Sequence, residues 1–185
     1  MLHAPRDEFR RRLVHVTPDV FGAATPCPDW TVRDLVNHVI GGDQMTVVLL
    51  EGGTTEAAVQ ALGADWIGDD DPVVVFAAAG EALDRAAAVD GVLERVVPHP
   101  MGPVPGHQAV SFRVAEYLVH AWDLARALGV DERLDAGLVE QTWEGMRGLA
   151  PVIGGLGMFG SGPSGALDEN SSPQDRLLDL SGRRP

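Results

Sequence analysis

Glu116 and His120 stand four residues apart in the stretch R-V-A-E-Y-L-V-H-A-W-D-L-A-R-A-L-G-V, Arg113 to Val130. On a helix that interval is about one turn, so a carboxylate and an imidazole project from one face, as two ligands of a divalent ion must. Asp123, seven residues after Glu116, returns to the same face. Val114, Leu118, Ala121, Ala125 and Leu128 give the stretch enough apolar surface to bury much of a helix, and an acid and a histidine would be carried inward with it.

A metal ion that keeps an open coordination position takes three protein ligands, and two imidazoles with one carboxylate are such a set. The third ligand must come from another element. His38 is the candidate, because it and His120 are the histidines that fall inside long helical patterns with a strong apolar face, and Leu35 and Val39 flank it. A neutral imidazole is tolerated there only if its ring nitrogens find partners. The residues alone leave a second reading open: an acid with a histidine at i+4 also serves as a surface pair, and a histidine on an apolar face as a hydrogen-bonded core residue. The H-E-x-x-H pattern of zinc proteases is absent.

The elements that must position these groups read as helices. Pro5 to about Val16 is a short first helix with Phe9, Leu13 and Val16 on one stripe, and His15 near its end suits the helix dipole. Pro18, Pro26 and Pro28 make a loop up to Trp30. Thr31 is an N-cap with Asp34 in the capping-box position, and Val32, Leu35, Val36, Val39 and Ile40 form the inward face of the helix that carries His38. Gly41-Gly42 either kinks that helix or admits another chain segment closely, and Gly52-Gly53 ends it.

Thr54 to Asp70 reads as a short helix or a loop anchored by Trp66. Asp71-Pro72 opens a third long helix to about Val89, with Phe76, Ala79, Leu83 and Ala86 inward. Val92 to Val97 has β character, and the proline-rich segment from Pro98 to His107 forms a long loop in which His99 and His107 could each line a site but read better as solvated residues. After Gly129 caps the Glu116 helix, Ala136 to about Leu149 is amphipathic through Leu138, Val139, Trp143, Met146 and Leu149. Gly154 to Gly165 is a glycine-rich connection anchored by Met158-Phe159, and Ser172-Pro173 starts a final short helix.

Composition narrows the function classes. Acidic residues number 27 against 14 basic ones, all of them Arg, and the formal charge of −13 argues against a nucleic-acid partner. Cys27 is the single cysteine, so neither an intrachain disulfide nor a cysteine-based zinc cluster is expected. No apolar run approaches the ~20 residues that span a bilayer, and the N-terminus lacks a signal-peptide pattern, so no membrane partner and a cytoplasmic location are expected. A length of 185 residues fits one domain over 1–185, with a bundle core of about 5–150 and a tail of about 151–185.

The segment D-W-T-V-R-D-L-V-N-H-V, Asp29 to Val39, together with E-Y-L-V-H-A-W-D-L-A, Glu116 to Ala125, closely resembles the metal-binding N-terminal domain of mycothiol-dependent maleylpyruvate isomerases, within the DinB-like group. The closing D-R-L-L and G-R-R-P, with Phe159-Gly160 upstream, is similar to a tail of small single-domain actinobacterial members. The resemblance implies an all-α DinB-like four-helix bundle with a short β-like or irregular excursion between the third and fourth long helices and extra C-terminal helices. It also implies that His38, Glu116 and His120 hold one divalent ion. Zinc suits that set best, and nickel, iron and manganese share its donors.

The characterised isomerases carry a second, C-terminal domain that 185 residues do not accommodate, so the metal platform is implied and the isomerase activity is not. The leading expectation is a metal-dependent enzyme that activates a low-molecular-weight thiol such as mycothiol, taken as the fourth ligand, for transfer to or isomerisation of a small electrophile. Asp123 is then expected to orient a ligand or contact substrate, and Trp122 to pack. The alternatives are a non-catalytic metal- or small-molecule-binding bundle and a purely structural one; a homodimer is compatible with any of them.

Overall fold

The structure, a computed structural model, describes residues 2–151 and 162–185. Five of the described helices begin where a side chain supplies a hydrogen bond that the helix end lacks, while those at His3–Leu13 and Gly106–Leu128 start without one. Helix α2, Val32–Leu50, opens on a full capping box, with the Thr31 N–H donating to Asp34 at 2.9 Å and the Asp34 N–H to Thr31 Oγ1 at 3.3 Å. Thr54 caps α3 (Thr55–Gly63), so the stretch that read as helix or loop is helical. Asp71 caps α4 (Pro72–Ala87), and Asp135 and Ser172 do the same for α6 (Ala136–Met146) and α7 (Pro173–Leu180). The long α5, Gly106–Leu128, ends on Gly129 at φ 66°, a left-handed conformation that glycine adopts without strain.

Helix α1, His3–Leu13, packs with α4 and α5, and α2 packs with the same two, which makes the four-helix bundle. The short α3 lies on α2, and α7 lies on α6. Phe9, Leu13, Leu35, Ile40, Phe76, Leu83, Leu118 and Leu124 are fully buried between the long helices, each stabilising the fold by roughly 1.5–3 kcal/mol. Trp122, expected to pack, is 1% exposed. The excursion between α4 and α5 is reduced to two paired dipeptides, β1 (Val96–Val97) and β2 (Val104–Pro105), since the residues from Val92 on form turns first.

Several expectations need correcting. Helix α5 begins at Gly106, seven residues before Arg113, so His107 belongs to its exposed first turn and not to the loop. His99, read as solvated, is 8% exposed, with its ring 5.2 Å from that of Phe112 and its Nδ1 accepting from the Met101 N–H. Helix α1 stops at Leu13, short of Val16. Of the two roles open to Gly41-Gly42, close approach is the one taken: α2 is continuous, a Cβ on Gly41 would collide with the Leu62 carbonyl of α3, and one on Gly42 with the Arg113 guanidinium. The side chain of Leu149 and the segment 152–161, with Met158-Phe159 and Phe159-Gly160, lie outside the described residues. Among the described residues no helix is long and apolar enough to cross a membrane.

Candidate metal centre

Two helices supply the cluster. His38 projects from the middle of α2, and Glu116, His120 and Asp123 from the centre of α5, which packs along it. His38 Nε2 lies 3.1 Å from Glu116 Oε2, and His120 Nε2 lies 3.3 Å from the same oxygen. The three ligand atoms fall within 4.8 Å of one another. His120 turns its other nitrogen, Nδ1, to Asp123 Oδ2 at 2.9 Å. An imidazole whose far nitrogen is held by a carboxylate has a fixed tautomer, with Nε2 free to act as a ligand.

The loop before α2 closes one side. Asp29 takes φ 65°, a left-handed conformation that Asp tolerates better than most residues, and an isolated bridge joins Ala24 to Thr31. This brings the Trp30 ring to 4.5 Å from that of His38 and 5.9 Å from that of His120. It also buries Cys27, whose Sγ is 3.3 Å from Asp123 Oδ2. From the other end of the chain Arg183 donates Nε to Asp123 Oδ1 at 3.1 Å and Nη2 to Asp123 Oδ2 at 2.6 Å and Cys27 Sγ at 3.2 Å. On the far side Arg113 and Tyr117 share Asp43 Oδ1, at 3.0 and 2.6 Å, and Arg113 Nη1 comes to 3.7 Å from Glu116 Oε2.

Charge follows from these contacts. Burial opposes ionisation of Glu116, yet hydrogen bonds from His120 and His38 hold its carboxyl well below the usual carboxylate range. Burial likewise works against a charged His120, but the bonds to Asp123, Cys27 and Glu116 push its pKa well above that of a free imidazole. Burial lowers His38, only partly offset by Glu116. Asp123 is drawn down to about 2 by His120 and Arg183 against the cost of its burial. One strongly acidic carboxylate faced by two imidazole nitrogens, with a second carboxylate behind one of them, fits a divalent ion in donor type and in the support around it.

Among the described residues Cys27, His120 and Asp123 form a second group of ligand-type atoms. The Arg183 guanidinium already supplies the positive charge there, which disfavours a cation. The cluster of His38, Glu116 and His120 faces a cleft of about 1130 Å³, which Cys27 and Arg183 also border. His99 also lines this cleft, while His15 and His107 are exposed elsewhere.

Arg113, Arg183, Cys27 and Trp30 carry no role in the sequence reading, although all four touch the site or its supports. A signal existed for two of them: Trp30 and Arg183 lie inside the motifs that carry the family resemblance.

Fold and cluster together define a helical bundle with a candidate metal centre between two of its long helices. Residues 2–125 match the family model described as the mycothiol maleylpyruvate isomerase N-terminal domain, and the chain belongs to that family. Two uncharacterised proteins from two strains of Mycobacterium tuberculosis are each 30% identical to it over 171 residues, 92% of this chain and 86% of theirs. The crystal structure of the mycothiol-dependent maleylpyruvate isomerase superposes with a TM-score of 0.54 at 17% identity, and that of a histidine-to-alanine mutant with 0.55 at 18%. Both cover 80% of this chain, which spans 65% of the length of the solved isomerase, and at that identity the likeness is one of fold.

Proposed function

We propose that the chain is a divalent-metal-dependent enzyme that activates a small thiol of the mycothiol type for transfer to, or isomerisation of, a small electrophile. The observation that carries this reading is the convergence of His38 Nε2 and His120 Nε2 on one oxygen of Glu116, at 3.1 and 3.3 Å, beside an open cleft. His38, Glu116 and His120 would hold the ion, with zinc the best match to the donors. Such an ion, when bound with an open position, supplies Lewis acidity that lowers the pKa of a thiol or water and makes a nucleophile near neutral pH.

The chain's own residues do the rest. Asp123 holds the proton of His120 on Nδ1 and so keeps Nε2 turned to the cluster. Arg113 Nη1, 3.7 Å away, steadies the Glu116 carboxylate, and Trp30 covers the His38 ring and keeps water from that side. Because α7 packs on α6 and Arg183 reaches Asp123, we treat the bundle and its C-terminal helices as one domain.

Metal analysis of the purified chain against His38→Ala and Glu116→Ala tests the platform. About one ion per chain is expected in the wild type and little in either variant. Electrophile consumption that requires both thiol and metal tests the activity; metal without turnover would mark a non-catalytic metal-binding bundle.

A further inference from the structure

We infer that the electrophile taken by this cleft is uncharged and largely apolar, and that carboxylate-bearing compounds are excluded; the inference rests on the thiol-activating reading above. Apolar side chains line much of the cleft: Met45, Phe112 and Val119 on α2 and α5, and Leu138 and Met146 on α6.

Every basic residue in the chain is an arginine, and two arginines border the cleft. Each is already paired with a fully buried carboxylate, so neither is a free positive charge facing the cleft. Arg183 gives Nε and Nη2 to Asp123 and Nη1 to the Ser181 carbonyl at 2.7 Å. Arg113 gives Nε to Asp43 and Nη2 to the Val39 carbonyl at 2.8 Å, and its Nη1 faces Glu116. The segment 152–161, V-I-G-G-L-G-M-F-G-S, contains no basic residue either. His38 and His120 point to Glu116, and His99 accepts from the Met101 N–H.

The charges of the working site also cancel. An ion held by this cluster would have its two charges offset by Glu116 and one thiolate, and the two arginines are offset by Asp43 and Asp123. An entering carboxylate would therefore be an uncompensated charge between apolar walls, with Glu116 already negative nearby. An uncharged ligand trades water for apolar contact.

Calorimetric titration of the full chain as purified, with saturating 2-mercaptoethanol present, compares 4-nitrobenzyl alcohol with 4-nitrobenzoate, a pair of similar shape that differs in charge. The alcohol should bind at least about tenfold more tightly. Leu138→Arg, at a half-buried position of the wall, should bring nitrobenzoate to at least the affinity of the alcohol. Gln141→Arg, on the exposed rim, should shift the ratio in the same direction and covers the case in which the first variant does not fold. Nitrobenzoate binding as tightly as the alcohol to the wild type, or no measurable binding of either, overturns the inference. Failure of the functional reading shows elsewhere, as the absence of stoichiometric metal, so the two outcomes are separable.

Discussion

Asp123→Asn removes one charge and almost no volume. In the wild type Asp123 Oδ2 accepts from Arg183 Nη2 at 2.6 Å, His120 Nδ1 at 2.9 Å and Cys27 Sγ at 3.3 Å, and Oδ1 accepts from Arg183 Nε at 3.1 Å. An amide has one acceptor oxygen, so it can serve His120 or Arg183 while setting an N–H donor against the other. Loss of such support behind a ligating imidazole weakens metal binding about 10- to 100-fold, or roughly 1.4–2.7 kcal/mol. Removing one partner of a buried ion pair costs about 3–5 kcal/mol, but the Arg183 side chain retains 11% exposure and some access to water, so about 2–3 kcal/mol is the expected loss of stability. Competition with a chromogenic zinc indicator reads the first quantity and urea unfolding of the metal-free chain the second. A variant that unfolds at the wild-type midpoint and holds zinc within about threefold of the wild type would refute the role assigned to this carboxylate.

The other predictions concern the frame around the site. Gly41→Ala gains ~1 kcal/mol in helix propensity, but its Cβ meets the Leu62 carbonyl; overpacking of ~1–3 kcal/mol makes the variant the less stable protein in urea, and a stabilised variant would show that α3 moves aside freely. Thr31→Ala should cost about 1 kcal/mol through loss of the capping box and speed amide exchange in the first turn of α2. Asp84, whose carboxyl is held below its ordinary value by the hydrogen bonds of Arg6, contributes stability that is present above pH ~4 and lost as pH falls through the depressed folded pKa. Its side chain is 38% exposed, so solvent screening limits the effect to about 1 kcal/mol or less. The melting-temperature gap between wild type and Asp84→Asn should hold from pH 7 to 5 and shrink below 4; a gap that widens in acid contradicts the assignment.

What the sequence could disclose was whatever local rules encode. The capping box at Thr31 and Asp34, the Asp71-Pro72 start and the Gly129 stop depend on neighbours within one turn, and the structure has them as read. Glu116 and His120 share a face for the same reason, and the apolar helical pattern around His38 offers it as their partner, in agreement with the family resemblance. The supports escaped because their partners are distant in the chain: Arg183 lies 60 residues from Asp123, and Cys27 lies 96. Nor does any period reveal that Arg113 and Tyr117 would bury Asp43. Loop composition suggests solvent around His99, whereas packing against Phe112 covers it. The prolines ahead of α5 make its first turn read as part of the loop, although the helix starts at Gly106.

Asp123 also constrains how the protein can change. One oxygen answers to an imidazole, a guanidinium and a thiol that enter from α5, the C-terminal segment and the loop before α2. Substitutions at Cys27, His120 and Arg183 therefore act on a shared partner, and their effects cannot add. Once Asp123 is gone, the loss of Arg183 relieves an unpaired charge; while Asp123 remains, the same loss creates one. The order in which these positions mutate thus decides which variants survive, and a lineage that abandoned the metal would be expected to shed the pair together.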